Sequence, residues 1–226
     1  MNFLLHHAFA SAETGSSIAG VGAMLPDLWR MAHPRVRART LSGPRPADGA
    51  LGELDRGVEH HLAIDAWFHR ADVFTRGERA TGERLRAIAA PKIGLFAHMA
   101  WELCLDGAWV RRADPRDALE AGFREAGDAI DAAAEGHGLE RLDPGDRSGF
   151  HARVRALRDG LVEGPWVRSY ASAAGLVAIV EGMRTRRLGL APMDAGARRA
   201  LGEAFEALAP EADDALARLF EARAVR

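Results

Sequence analysis

The chain has a single cysteine, Cys104, in 226 residues. That excludes an internal disulfide framework and a thiolate metal site, and it points to a reducing, cytoplasmic setting. Net charge is equally scarce. The formal value is −2, with no block of one sign, so neither nucleic acid nor an anionic membrane surface is an expected partner. No apolar run approaches the roughly 18 residues needed to span a bilayer. The opening Met1-Asn2-Phe3-Leu4-Leu5-His6-His7 lacks the basic flank and long apolar core of a secretion signal, so a soluble protein is expected. Lysine is represented only by Lys92 and tyrosine only by Tyr170. Alternating strand-like patterns are almost missing, which leaves little material for a sheet.

What remains is helical periodicity. The pattern predicts an all-α, single-domain helical bundle over residues 1–226. Helices are expected near 2–12, 16–31, 51–72, 78–89, 92–112, 115–135, 146–163, 166–188, 194–208 and 210–224, with Pro26 bending the second. Residues 33–50, which hold Pro34, Pro44 and Pro46, read as a loop. Asp114-Pro115, Asp143-Pro144 and Gly164-Pro165 punctuate the later helices. The stretch 137–146 reads as a loop within the bundle in preference to a domain boundary.

Histidines and carboxylates recur at helical spacing. In Gly57-Val58-Glu59-His60-His61-Leu62-Ala63-Ile64-Asp65-Ala66-Trp67-Phe68-His69, the residues His61, Asp65 and His69 stand at i, i+4 and i+8. On a helix they share one stripe, each about 6 Å beyond the last. Imidazoles and a carboxylate so placed suit Mn, Fe or Zn better than Ca or Mg. The competing reading is a polar face with a satisfied Asp–His pair. His98 and Glu102 repeat the i, i+4 spacing inside an apolar segment, where each needs a partner, either a cation or the other's hydrogen bond. Asp27 ends the apolar run Gly20-Val21-Gly22-Ala23-Met24-Leu25-Pro26 and reads either as a ligand or as a cap or turn residue. His6 reads either as a ligand or as a core histidine. Together these segments offer what a hydrolytic metal site requires, namely ligands from separated elements with room for water and substrate.

The order of these motifs resembles the acyl carrier protein phosphodiesterase (acyl carrier protein hydrolase) family, distant relatives of the HD-domain metal-dependent phosphohydrolases. The resemblance runs from Met1-Asn2-Phe3-Leu4 and His6, through the glycine-containing run to Asp27, to Gly57-Val58 with His61 and Ile64-Asp65. It resumes at Trp101 with an acid at 102, at Trp109 and Tyr170, and at Gly182-Met183 with Arg186 and Arg187. It implies an HD-like helical fold, a divalent metal, and hydrolysis of the phosphodiester that joins 4′-phosphopantetheine to acyl carrier protein. It also implies metal-ligand roles for His6, Asp27, His61 and Asp65, and substrate-phosphate roles for the C-terminal arginines. The chain departs from the family pattern at three places. It has His69 and His98 where aspartates are usual, and Glu102-Leu103 where Asp-His is usual, exchanges that favour nitrogen-preferring Zn or Fe.

The expected chemistry is metal-assisted phosphodiester hydrolysis. The ligands come from His6, Asp27, His61, Asp65, His69, His98 and Glu102, with Asp65 or Glu102 as an alternative general base. Arg186 and Arg187 are candidate substrate contacts, although cations in a last helical turn also complement its dipole. Tyr170 is a candidate contact or a core tyrosine. Trp29, Trp67, Trp101, Trp109 and Trp166 read as packing residues, and Cys104 as a buried, inert thiol. Three alternatives stay open, a metallohydrolase acting on another phosphoester, a non-catalytic helical metal-binding protein and a structural helical bundle without metal. The sequence leaves oligomeric state undetermined.

Overall fold

Helix follows helix through the computed structural model, which describes residues 3–40, 48–137 and 139–224. The fold is all-α, and no strand occurs among the described residues. The helices are α1 (Phe3–Thr14), α2 (Ser17–Ala32), α3 (Gly49–Phe68), α4 (Asp72–Arg86), α5 (Ala97–Ala113), α6 (Arg116–Ala126), α7 (Ala129–Glu135), α8 (Pro144–Val162), α9 (Trp166–Tyr170), α10 (Ala173–Leu188) and α11 (Ala195–Ala224). Short 3-10 turns occupy Ile93–Phe96 and Leu139–Arg141. Among the described residues, no helix is long and apolar enough to cross a membrane.

The helices gather into two compact units. One comprises Phe3–Trp67 and Pro115–Pro165, and the other comprises Phe68–Asp114 and the chain from Trp166 onward. Among the described residues, two of the three crossings fall at the Asp114-Pro115 and Gly164-Pro165 punctuation marks. The stretch 137–146 lies inside the first unit.

In the first unit α2 packs against α1, α6 and α8. Ser16 starts α2 by accepting a hydrogen bond from the Ala19 N–H at 3.1 Å, which satisfies one of the exposed first-turn donors. The helix then runs unbroken past Pro26, so Asp27 lies within it and is neither cap nor turn. Glycine lets α2 and α3 touch backbone to backbone. A Cβ at Gly22 would sit 2.3 Å from the Leu54 carbonyl oxygen, and one at Gly57 would sit 2.1 Å from that of Ala19. His137, which sequence left unassigned in a soft stretch, is buried. Its Nδ1 accepts from the Arg39 backbone N–H at 3.2 Å, and its ring lies 5.0 Å from that of Trp29. The expected helix 115–135 breaks into α6 and α7 because Gly127 takes φ +48°, a left-handed conformation that favours glycine. Residues 41–47 of the expected loop lie outside the described residues.

In the second unit α5 packs against α4, α9, α10 and α11. Helix α4 begins at Asp72, six residues before its expected start, carrying Phe74 into the core. The expected helix 166–188 divides at Ala171 and Ser172, where the Ser172 hydroxyl caps α10 by accepting from the Gly175 N–H at 3.2 Å. The two helices expected on either side of residue 209 are one, since α11 passes through Pro210. Proline removes one intrahelical bond there, while packing on α4, α5 and α10 holds the rest of the helix in place.

Arg184 is a buried cation that sequence did not flag. Its guanidinium donates to the carbonyl oxygens of Pro91 at 3.2 Å and Ala191 at 2.6 Å, tying two loops to α10. Arg184→Met leaves both carbonyls without this charged donor. It is expected to lower stability by about 3 kcal/mol in urea unfolding. A change below about 0.5 kcal/mol would show that water replaces the donor.

Candidate metal centres

The sequence-predicted ligands gather into two groups, each inside one unit. The first joins His6 from α1 with His61 and Asp65 from α3, one ligand atom from each lying within 4.8 Å of the others. His6 and His61 are buried by the apolar faces that close α1 and α3 onto the core. Their rings lie 4.0 Å apart, tilted by 33°. His6 Nε2 stands 3.8 Å from Asp65 Oδ1, and the Asp65 side chain is half exposed, the one member open to solvent.

The His61 tautomer is set from behind. Its Nδ1 lies 2.8 Å from the Ala23 carbonyl oxygen of α2, an acceptor only, so Nδ1 carries the proton and Nε2 keeps its lone pair. Metal-binding histidines commonly hold the remote nitrogen in this way. Burial pushes the His61 pKa down, and the negative charges of Asp27 and Asp65 pull it only partly back. The ring is therefore neutral at pH 7, the form that ligates a cation. Asp27 acts on this centre through its charge. It is half-buried on α2 and stands outside the compact group.

His7 and His60 face elsewhere. His7 packs against Gly20, where a Cβ would come within 2.8 Å of its ring. Burial lowers its pKa to about 4, which makes it a neutral core residue. His60 pairs with Glu13 at 3.1 Å.

The second group joins His69, His98 and Glu102, again with one ligand atom each within 4.8 Å of the others. His98 Nε2 lies 3.3 Å from Glu102 Oε1, and His69 Nε2 lies 3.8 Å from the same oxygen. The two imidazoles are 4.8 Å apart and tilted by 32°, with Phe74 edge-on to both. The Glu78 carboxylate is 3.2 Å from His98 Nδ1. The hydrogen bond to Glu102 raises the His98 pKa against the opposing effect of its partial burial. Burial also opposes ionisation of Glu102, yet its carboxyl stays below the usual range, helped by the hydrogen bond and charge of His98.

His61, Asp65 and His69 thus share a helical spacing without sharing one group. Helix α3 ends at Phe68, so His69 leaves the stripe and turns to meet α5. Sequence reasoning missed two supporting groups, the Ala23 carbonyl and Glu78. The first is a backbone atom with no residue signal, and the second is 20 residues from the histidine it touches.

Neither group includes the proposed substrate residues. Arg186 and Arg187 are exposed in the last turn of α10. Tyr170 is buried on α9, its hydroxyl pKa raised by burial and by the Asp106 charge. Trp101 is buried against Gly77, as a packing residue should be, whereas Trp166 is partly exposed. Cys104 is buried and its thiol pKa is pushed up to about 12. The native protein is therefore expected to resist iodoacetamide between pH 7 and 9 and to react only once unfolded. Prompt alkylation of folded protein, read by mass spectrometry, would contradict that environment.

Comparison of the chain with models of known protein families, with curated proteins and with solved structures finds no match in any of the three.

Proposed function

We propose that this protein is a metal-dependent phosphodiester hydrolase of the acyl carrier protein phosphodiesterase type, releasing 4′-phosphopantetheine from acyl carrier protein. The observation that carries the reading is the first group. Two buried imidazoles and a half-exposed carboxylate converge there, with one imidazole fixed in its ligating tautomer by Ala23. The motif order from His6 to Asp65, which resembles that family, supplies the reaction type. The donor set, two nitrogens and an oxygen, suits Mn, Fe or Zn.

A divalent cation, when bound, supplies Lewis acidity toward a phosphoryl oxygen and toward water. The chain supplies the rest. Ala23 holds His61 in register, and burial keeps the imidazole neutral with Nε2 free of a proton. Asp65 is the member of the group through which water and substrate approach, and it is placed either to ligate or to accept a proton. Asp27 adds negative charge beside His61. Arg186 and Arg187 are exposed on α10 in the other unit, and their substrate role rests on the family resemblance alone.

Untagged protein reloaded with Mn, Fe(II) or Zn is to be incubated with holo-acyl carrier protein and with a panel of other phosphodiesters. Loss of the phosphopantetheine mass from the carrier protein is the expected result. Turnover confined to another diester would reassign the substrate and keep the reaction class. No turnover of any diester by stoichiometrically loaded protein would sink the hydrolase reading. It would instead favour a non-catalytic metal-binding protein, an account to which the burial of His6 and His61 already lends weight.

A further inference from the structure

The second group has features that an ion pair alone leaves unexplained. His98 and Glu102 satisfy each other at 3.3 Å, but His69 also aims its Nε2 at the same carboxylate oxygen from 3.8 Å, beyond hydrogen-bonding range. Two of the three donor separations, 3.3 and 3.8 Å, are near those of neighbouring ligands on one cation, and all three atoms lie within 4.8 Å of one another. For metal–ligand bonds of about 2.0–2.1 Å in a tetrahedron, neighbouring donors stand roughly 3.3–3.4 Å apart. His98 also has its remote nitrogen occupied. With Nδ1 hydrogen-bonded to the Glu78 carboxylate at 3.2 Å, its Nε2 is directed at Glu102, in the carboxylate–histidine arrangement that orients metal ligands.

We propose that His69, His98 and Glu102 form a second, separately filled site for a zinc-like divalent cation, with Glu78 as the residue that positions His98. The site lies within the second unit and needs no residue from the first. Its character differs from that of the first. The His98 side chain is 47% exposed and that of His69 28%, whereas His6 and His61 are buried. Two partly exposed imidazoles beside the buried Glu102 carboxylate leave a position for water or an exogenous ligand. A cation there is reached past exposed imidazoles, whereas in the first group the imidazoles are buried and only the Asp65 carboxylate is open to solvent. The ligand atoms are a nitrogen pair and one oxygen, so zinc and cobalt are preferred over magnesium and calcium. The inference does not depend on the phosphodiesterase reading, since it concerns binding of the ion alone.

The test uses full-length, metal-stripped protein titrated with Zn(II), with bound zinc counted by elemental analysis after gel filtration and Co(II) absorption as a second readout. Wild type is expected to hold two equivalents. His61→Ala should retain one, and His61→Ala/His98→Ala should retain none. His98 is half-exposed, so its replacement spares the core, and a far-ultraviolet dichroism spectrum confirms the fold. Glu102→Gln in the His61→Ala background should also lose the remaining ion. Glu78→Gln in that background should keep the stoichiometry and weaken zinc affinity by about 10–100-fold, the usual effect of losing an outer-shell partner. Glu78→Asp should recover part of it. If zinc content is the same with and without His98 and Glu102, the group is an ion pair only and the proposal is overturned. If Glu78→Gln leaves affinity unchanged, the positioning role is overturned.

Discussion

Asp65→Ala protein is expected to keep its helical fold and to lose phosphodiester hydrolysis by at least about 100-fold, since removing an outer-shell partner of a metal ligand already costs 10–100-fold. Asp65 is the only carboxylate in the first group, and its side chain is half exposed, so its truncation creates no cavity among core residues. Stability should change by less than about 1 kcal/mol, as for surface positions generally. What disappears is the oxygen donor 3.8 Å from His6 Nε2 and the anion that draws a cation toward the two imidazoles. Asp65→Asn separates the two contributions. It keeps the shape and one oxygen but removes the charge, and it is expected to retain weak metal binding with little turnover. Activity comparable to wild type in the folded Asp65→Ala protein would place the chemistry elsewhere. Parallel loss of turnover and of one bound metal equivalent is the result that ties chemistry to this group.

The fold class was legible because helical periodicity had no competitor in a chain so poor in strand-like alternation. Boundaries were less legible where a single residue decides them. Gly127 ends α6 through a positive φ that its neighbours do not announce, and Pro26 and Pro210 lie inside helices although proline ordinarily ends or bends one. Packing overrode the local preference in both proline cases. Five candidate ligands were legible as residue types at i, i+4 spacing and His6 through the family resemblance, and His6, His61, Asp65, His69, His98 and Glu102 all fall in the two groups. Their division was not legible. A sequence stripe assumes that the helix continues, and α3 stops at Phe68. Asp27 was expected as a direct ligand, but it stands on α2 beside the group and contributes charge. The groups that hold the imidazoles in place, Ala23 and Glu78, belong to other helices, and only tertiary packing reveals them.

Gly57→Ala tests how far the first centre depends on the contact between α2 and α3. A Cβ at Gly57 would lie 2.1 Å from the Ala19 carbonyl oxygen and 2.7 Å from both the Ala23 nitrogen and the Gly22 Cα. All three neighbours are backbone atoms in the first half of α2, so no side chain can swing away, and the helices themselves must separate. Forcing added volume into a packed interior typically costs 1–3 kcal/mol and sometimes more. With no flexible neighbour here, the upper end, about 3 kcal/mol, is expected, lowering Tm by roughly 10 °C for a chain of this size. The separation also reaches the site. His61 lies one turn beyond Gly57, and its Nδ1 depends on the Ala23 carbonyl at 2.8 Å, carried by the same stretch of α2. Gly57→Ala protein that still folds should therefore lose zinc affinity at His6, His61 and Asp65 while His69, His98 and Glu102 keep theirs. Gly202→Ala is the control of opposite sign. A Cβ on that α11 glycine meets nothing closer than a Val177 methyl at 3.9 Å, and alanine in an open helical position stabilises by about 0.5–1 kcal/mol. Equal stability of the two alanine variants would show that α2 and α3 do not need their glycine contact.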